Sequence, residues 1–396
     1  MGEKIKRYLK LPICGILIVL MLFMTGCWDR TEINDIALIT ATAYDTAPDG
    51  KLRYSMQIML PSGSGQGVGQ GSSGGQQKKN FIVETAIGID PGDAEKNIQR
   101  KFPRRLFRGH RRVIIIGEEL ARQGLDKMLD SIGRDPQNRL HTNVLIAKDK
   151  KGIDMLNVEY PIERVPSEAM REMMIIGIKV NANIRDFLMA ASSEGIQPIA
   201  VAIGPGSGDN GFEPLGIAVF HKLKLIGYLD PEKTEGYLWT MGKFENGITA
   251  TEVPGDKGVI RANVKNSKAR ITPELKGDKV LIKVDIKGEG SIYGNSTKLD
   301  LATPKYILFA QKLIKNKIKV QVEDTIKAVQ KEYGADIFGF GGYFQQFKPR
   351  DWKNIEKKWD KMFPEAEVEV SVDFKIKTSG MSGPPLYLEE KEVKKK

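Results

Sequence analysis

Glu367-Val368-Glu369-Val370-Ser371-Val372-Asp373-Phe374-Lys375-Ile376-Lys377 alternates polar and apolar residues without a break. Successive side chains point to opposite faces of a strand, so this stretch predicts a strand with one buried face. Working back from it, Trp352, Ile355, Trp359 and Met362 share one side of a helical wheel, and Lys353, Glu356, Lys357 and Asp360 take the other. That pattern predicts an amphipathic helix that turns both tryptophans toward a core. Residues 304–333 form the longest helical candidate, with Pro304 at the start, where a missing N–H is harmless, and Gly334 after the end. Earlier still, Val280, Ile282, Val284 and Ile286 alternate with Leu281, Lys283 and Asp285 behind a Lys276-Gly277-Asp278 turn signal, which predicts a hairpin. Strands around consecutive helices make residues 212–382 an α+β region with a long helix and antiparallel strands, large enough for two subdomains. The tail 383–396 is charged and expected to fray.

The first half has a different texture. An apolar run over 36–43 predicts a strand, Asp49-Gly50 a tight turn, and Leu52, Tyr54, Met56 and Ile58, alternating with Arg53, Ser55 and Gln57, the returning strand. Residues 62–77 are mostly Gly, Ser and Gln, the composition of a flexible loop. Strands are expected at 81–87, 113–116 and 144–147, and helices at 93–101 (stopped by Pro103), 118–122, 166–176 and 184–192. Short connections between alternating elements predict a mixed α/β domain over 27–203. Gly204-Pro205-Gly206-Ser207-Gly208-Asp209-Asn210-Gly211 breaks every pattern, so 204–211 is expected to be a linker between the halves. The fold class expected overall is α+β and multi-domain. A chain of 396 residues exceeds one ordinary core, and 41% hydrophobic with 28% charged residues is a folding composition.

Residues 1–26 read as an export leader. Lys4, Lys6, Arg7 and Lys10 precede an uncharged, mostly apolar run over 11–24, which suits a signal peptide better than a spanning helix of about 20 apolar residues. The run ends in Met24-Thr25-Gly26-Cys27. This resembles a bacterial lipobox, in which small residues precede a cysteine that is acylated on sulfur and becomes the new N-terminus. Met24 stands where Leu is usual. Cys27 is therefore the expected lipidation site, and an uncleaved signal anchor is the alternative; both place the rest of the chain outside the cell membrane. The only other cysteine, Cys14, lies in the leader, so the mature chain is expected to hold neither a disulfide nor a cysteine metal site. The leader carries those four positive charges and Glu3, so its removal takes the net charge from +11 to +8, an excess suited to an anionic surface.

Few motifs carry chemistry. Gly206 to Gly211 fits G-x-G-x-x-G, but residues 216–220 read as a strand, whereas a dinucleotide site needs a helix to start there. His110, His141 and His221 are far apart and in no metal-binding spacing, so no metal, cofactor or catalytic residue is assigned. Arg100, Lys101, Arg104, Arg105, Arg108, Arg111 and Arg112 form the densest positive cluster. It could meet lipid headgroups or an acidic partner, or be a solvated face; nucleic acid is not expected for an exported chain.

Cys27-Trp28-Asp29-Arg30-Thr31-Glu32-Ile33-Asn34-Asp35 closely resembles the start of the mature Ger(x)C proteins, the lipoprotein C subunits of spore germinant receptors. The likeness continues in Arg111-Arg112-Val113-Ile114-Ile115-Ile116-Gly117-Glu118, in Arg134-Asp135-Pro136, in Asp336-Ile337-Phe338-Gly339-Phe340-Gly341, in the pair Trp352 and Trp359, and in Phe363-Pro364. The resemblance implies an α/β protein of about three domains on the outer face of the inner spore membrane. It also implies association with two integral membrane subunits, of A and B type, in a nutrient receptor, and no catalytic residues. Whether this subunit itself binds the small-molecule germinant is left open. From the residues alone, an exported solute-binding lipoprotein and an extracytoplasmic enzyme stay as alternatives.

Overall fold

The computed structural model describes residues 32–60, 80–160, 162–206, 211–380 and 389. The expected leader, Cys27, the loop 62–77 and all of the tail 383–396 except Glu389 lie outside the described residues. The chain has an α+β fold built on two sheets.

The first sheet is mixed. Its strands are β1 (Ile36–Thr46), β2 (Leu52–Met59), β3 (Phe81–Gly88), β4 (Arg105–Phe107), β5 (Val113–Gly117), β6 (Asn143–Ala147), β7 (Ile199–Pro205), β8 (Phe212–His221) and β9 (Lys224–Leu229). They run in the order β3-β2-β1-β5-β6-β7-β8-β9, with β4 beside β1. The middle strands β1, β5, β6 and β7 are mutually parallel, and antiparallel pairs close both flanks. Parallel strands are covered on both faces, so they are apolar throughout. Val113, Ile114, Ile115 and Ile116 are each at most 1% exposed.

Helices Pro91–Gln99, Glu118–Gln123, Asp126–Arg134 and Ile184–Ser192 cover one face. Their Ile98, Ala121, Met128, Leu129, Ile132 and Phe187 pack with Tyr44, Tyr54, Ile114 and Ile116. Gly152–Asn157 and Pro166–Glu172 cover the other face through Met155, Leu156, Ala169 and Met170, against Ala41, Ala43, Val113 and Ile115. Asp45 fixes the first of these helices, because its carboxylate accepts from Gly152 N at 2.6 Å and Ile153 N at 3.0 Å. Those are amides that a helix start leaves without intrahelical partners.

The second sheet has the order β10 (Gly247–Glu252), β11 (Val259–Lys276), β12 (Lys279–Asn295), β13 (Glu367–Thr378). The alternating stretch from Glu367 to Lys377 lies in β13, with Val370 and Phe374 buried. It lies parallel to β12 from Leu281↔Glu367 to Ser291↔Thr378. A parallel neighbour needs a crossover, and the helix Pro304–Ala328 lies within it, burying Ile314, Ile318, Val322 and Ile326, one residue per turn. Trp239, Phe338, Phe340, Trp352 and Trp359 belong to the same continuous apolar cluster as Ala41, Val113 and Ile115, so the two sheets share a core.

Several expectations are corrected. The strands on either side of the segment expected to divide the chain, 204–211, pair in one sheet. Gly206 N donates to Gly211 O at 3.1 Å, and β7 pairs with β8 from Ile199↔Val219 to Pro205↔Phe212; residues 207–210 lie outside the described residues. Glycine-rich composition marks a turn and cannot tell a hairpin from a domain linker, so β8 and β9 complete the first sheet and the second begins only at β10. The strand expected near 280–286 runs over 17 residues against an 18-residue partner whose alternation is broken by polar residues. The tryptophan helix is three short pieces, Pro349–Ile355, Glu356–Lys358 and Trp359–Met362, which still bury Trp352, Ile355 and Trp359. The long helix widens into a π turn over Val329–Tyr333 before Gly334 ends it at φ 61°.

Candidate functional site

The arginine cluster does not form one surface patch. Arg100, Lys101 and Arg105 are exposed, but Arg108 and Arg111 are 8% and 3% exposed. The chain turns them in through a short 3-10 turn, Arg108–His110, that separates β4 from β5. Arg108 reaches Glu95 through Nη1 and Asp135 through Nη2. Arg111 donates from Nη2 to the Asn138 amide oxygen at 2.7 Å and from Nη1 to the Thr42 hydroxyl at 3.4 Å. Arg112 points elsewhere, to Glu168 at 3.0 Å.

These groups wall a pocket of about 700 Å³. Its floor is the cross-strand pair Tyr44 and Tyr54, stacked with ring centroids 4.7 Å apart. One wall is the helix Pro91–Gln99, with Glu95, Lys96 and Gln99; another is the end of Asp126–Arg134 with Asp135 and Asn138; Arg108 and Arg111 stand behind. Burial pushes the Glu95 carboxyl upward, and the adjacent Arg108 opposes it. Burial, helped by neighbouring Tyr44, holds the Tyr54 hydroxyl well above the usual phenol range, so this group stays a neutral donor. The hollow has the volume of a small-molecule site, and polar and charged side chains make up most of its lining.

The other candidates separate. His110 and His141 are exposed, and His221 Nε2 lies 3.5 Å from Asp360. Among the described residues no group of three or more His, Cys, Asp or Glu could hold a metal, and no helix is long and apolar enough to cross a membrane. Trp352 and Trp359 meet edge to face at 5.6 Å inside the core, and Trp359 Nε1 donates to Asp336 at 3.1 Å. Tyr44, Tyr54, Glu95, Asp135 and Asn138 were missed from sequence. Tyr44 and Tyr54 lie five residues to either side of Asp49, a signal that would have paired them; nothing local ties Glu95 or Asp135 to Arg108.

Fold and site together define a two-domain α+β protein whose first domain carries a charged, tyrosine-floored pocket. Two family models account for nearly all of it: the spore germination protein N-terminal domain matches residues 29–205, and the spore germination B3/GerAC-like C-terminal family matches 215–380. The chain belongs to the Ger(x)C family of spore germination proteins. It is 28% identical over 406 residues to spore germination protein YndF of Bacillus subtilis (strain 168), covering 95% of this chain and 98% of that protein. Spore germination protein KC of the same organism is 25% identical over 398 residues, covering 94% and 97%. The crystal structure of the GerBC protein superposes with a TM-score of 0.57 at 19% identity, over 85% of this chain and 96% of that one, a likeness of fold.

Proposed function

We propose that the chain is the nonenzymatic, lipid-tethered C subunit of a nutrient germinant receptor. The observation that carries this reading is the family match through both halves of the chain, joined to a leader that ends in Met24-Thr25-Gly26-Cys27. Acyl chains on Cys27 hold the folded body at the outer face of the inner spore membrane. One chain binds marginally, and each buried methylene adds about 0.8 kcal/mol, so two or three chains suffice for lasting attachment. From there the body presents its surfaces to integral membrane subunits of A and B type.

Deleting the gene in a sporulating host and scoring germination against a panel of nutrients tests the receptor role. The expected result is loss of response to at least one nutrient; an unchanged response to all of them, with paralogues also removed, rejects it. Cys27→Ala tests the tether. Metabolic lipid labelling is expected to disappear and germination to weaken, and labelling that persists would place the anchor elsewhere.

A further inference from the structure

Arg111 carries a full charge inside the first domain with only neutral oxygens on its guanidinium. Thr42 and Asn138 take its two terminal nitrogens, and its Nε is buried without a hydrogen-bond partner. Both carboxylates of the pocket are already engaged, because Glu95 and Asp135 converge on Arg108. Glu95 is near enough to feel the charge of Arg111 but directs its hydrogen bond to Arg108. A buried cation without its own anion is strongly disfavoured, and proteins compensate such charges by pairing. At the mouth, exposed Lys96 and Arg100 add positive charge. The lining therefore holds four cations against two anions.

We infer that this pocket binds a small organic monocarboxylate, whose carboxyl group pairs with Arg111. Both carboxylates bond Arg108, so Arg111 is the guanidinium without a bonded anion, and one carboxylate added there leaves the four cations of the lining against three anions. A dianion such as phosphate would bring a second negative charge up against Glu95 and Asp135. A guanidinium also matches the planar geometry of a carboxylate better than an ammonium would. The inference goes beyond the receptor reading and does not depend on it, since it concerns binding by the isolated chain.

Isothermal titration calorimetry on the full-length, detergent-solubilised protein tests it, with acetate, propionate and benzoate as carboxylate probes. Benzamide serves as the uncharged counterpart of benzoate, and inorganic phosphate as the competing anion. At least one carboxylate is expected to bind saturably with a dissociation constant at or below about 1 mM, with benzamide and phosphate clearly weaker. Arg111→Gln is expected to weaken that binding roughly ten- to a hundredfold, as loss of a charged hydrogen-bonding partner does. Should Arg111→Gln fail to fold, the exposed Arg100→Glu decides, with an expected loss of roughly two- to fivefold. No saturable carboxylate binding overturns the inference. So does phosphate or benzamide binding as tightly, or a folded Arg111→Gln or Arg100→Glu protein that binds as the parent does.

Discussion

Gly341 touches the first domain where no side chain could fit. A Cβ built there would lie 2.4 Å from Gly195 Cα, 2.9 Å from Gly195 O and 2.9 Å from the tip of Trp352. Gly195 has φ +78° and precedes β7, and Gly342 N donates to its carbonyl at 3.2 Å. Gly341→Ala must therefore open a backbone-to-backbone contact by about 1 Å to reach ordinary carbon separations. Overpacking of a tight site costs about 1–3 kcal/mol, and the upper end applies because backbone cannot rotate out of the way as a side chain would. Alanine in the helix Phe340–Phe347 returns about 0.5–1 kcal/mol, so the net loss is about 2 kcal/mol. The adjacent Gly342 is the control: nothing lies within 4 Å of its Cβ position, and Gly342→Ala should be neutral or stabilise by up to about 1 kcal/mol. Urea unfolding followed by tryptophan fluorescence measures both, with Trp352 at the contact as reporter and an unchanged slope as the sign that stability alone has moved. If Gly341→Ala unfolds within about 0.5 kcal/mol of the parent, or Gly342→Ala falls as far, the two halves do not meet at this contact as described.

The neighbouring Asp336 should make stability depend on pH. Burial pushes its carboxyl up to about 7 against the opposing pull of the Gly341, Phe340 and Trp359 donors. A group protonated more readily when folded contributes fully below the ordinary carboxylate range near 4 and loses that contribution as pH rises to about 7. Stability measured across pH 4 to 7 should fall in the parent by up to about 4 kcal/mol from this group and stay flatter in Asp336→Asn; parallel profiles would refute the assignment. Asp45→Ala leaves two helix-start amides without their acceptor and should cost about 1–3 kcal/mol in the same urea assay, and a loss below about 0.5 kcal/mol would show that the cap is dispensable. Lys315 and Asp373 pair at 2.7 Å with both side chains over one-third exposed. Lys315→Ala should change stability by less than about 1 kcal/mol at moderate salt, and a larger loss would mean that its stem packs as part of the core.

What the sequence determined by itself were features set by local periodicity. The alternation of β13, the run Val113 to Ile116, the Asp49-Gly50 hairpin and the one-per-turn apolar face of the long helix all follow from side-chain geometry within a few residues. The landmark Asp336 to Gly341 was legible as a pattern, while its reason was not: the backbone contact between Gly341 and Gly195 joins positions 146 residues apart. Tertiary structure alone decided that the strands ending at Pro205 and starting at Phe212 pair in one sheet, that β13 runs parallel to β12, and that Arg108 and Arg111 leave the surface for a pocket floored by Tyr44 and Tyr54. The physical reason is common to all three. Strand partners and the partners of a buried charge are chosen by long-range packing and desolvation, and composition along the chain carries no record of which distant acid, strand or glycine will be opposite.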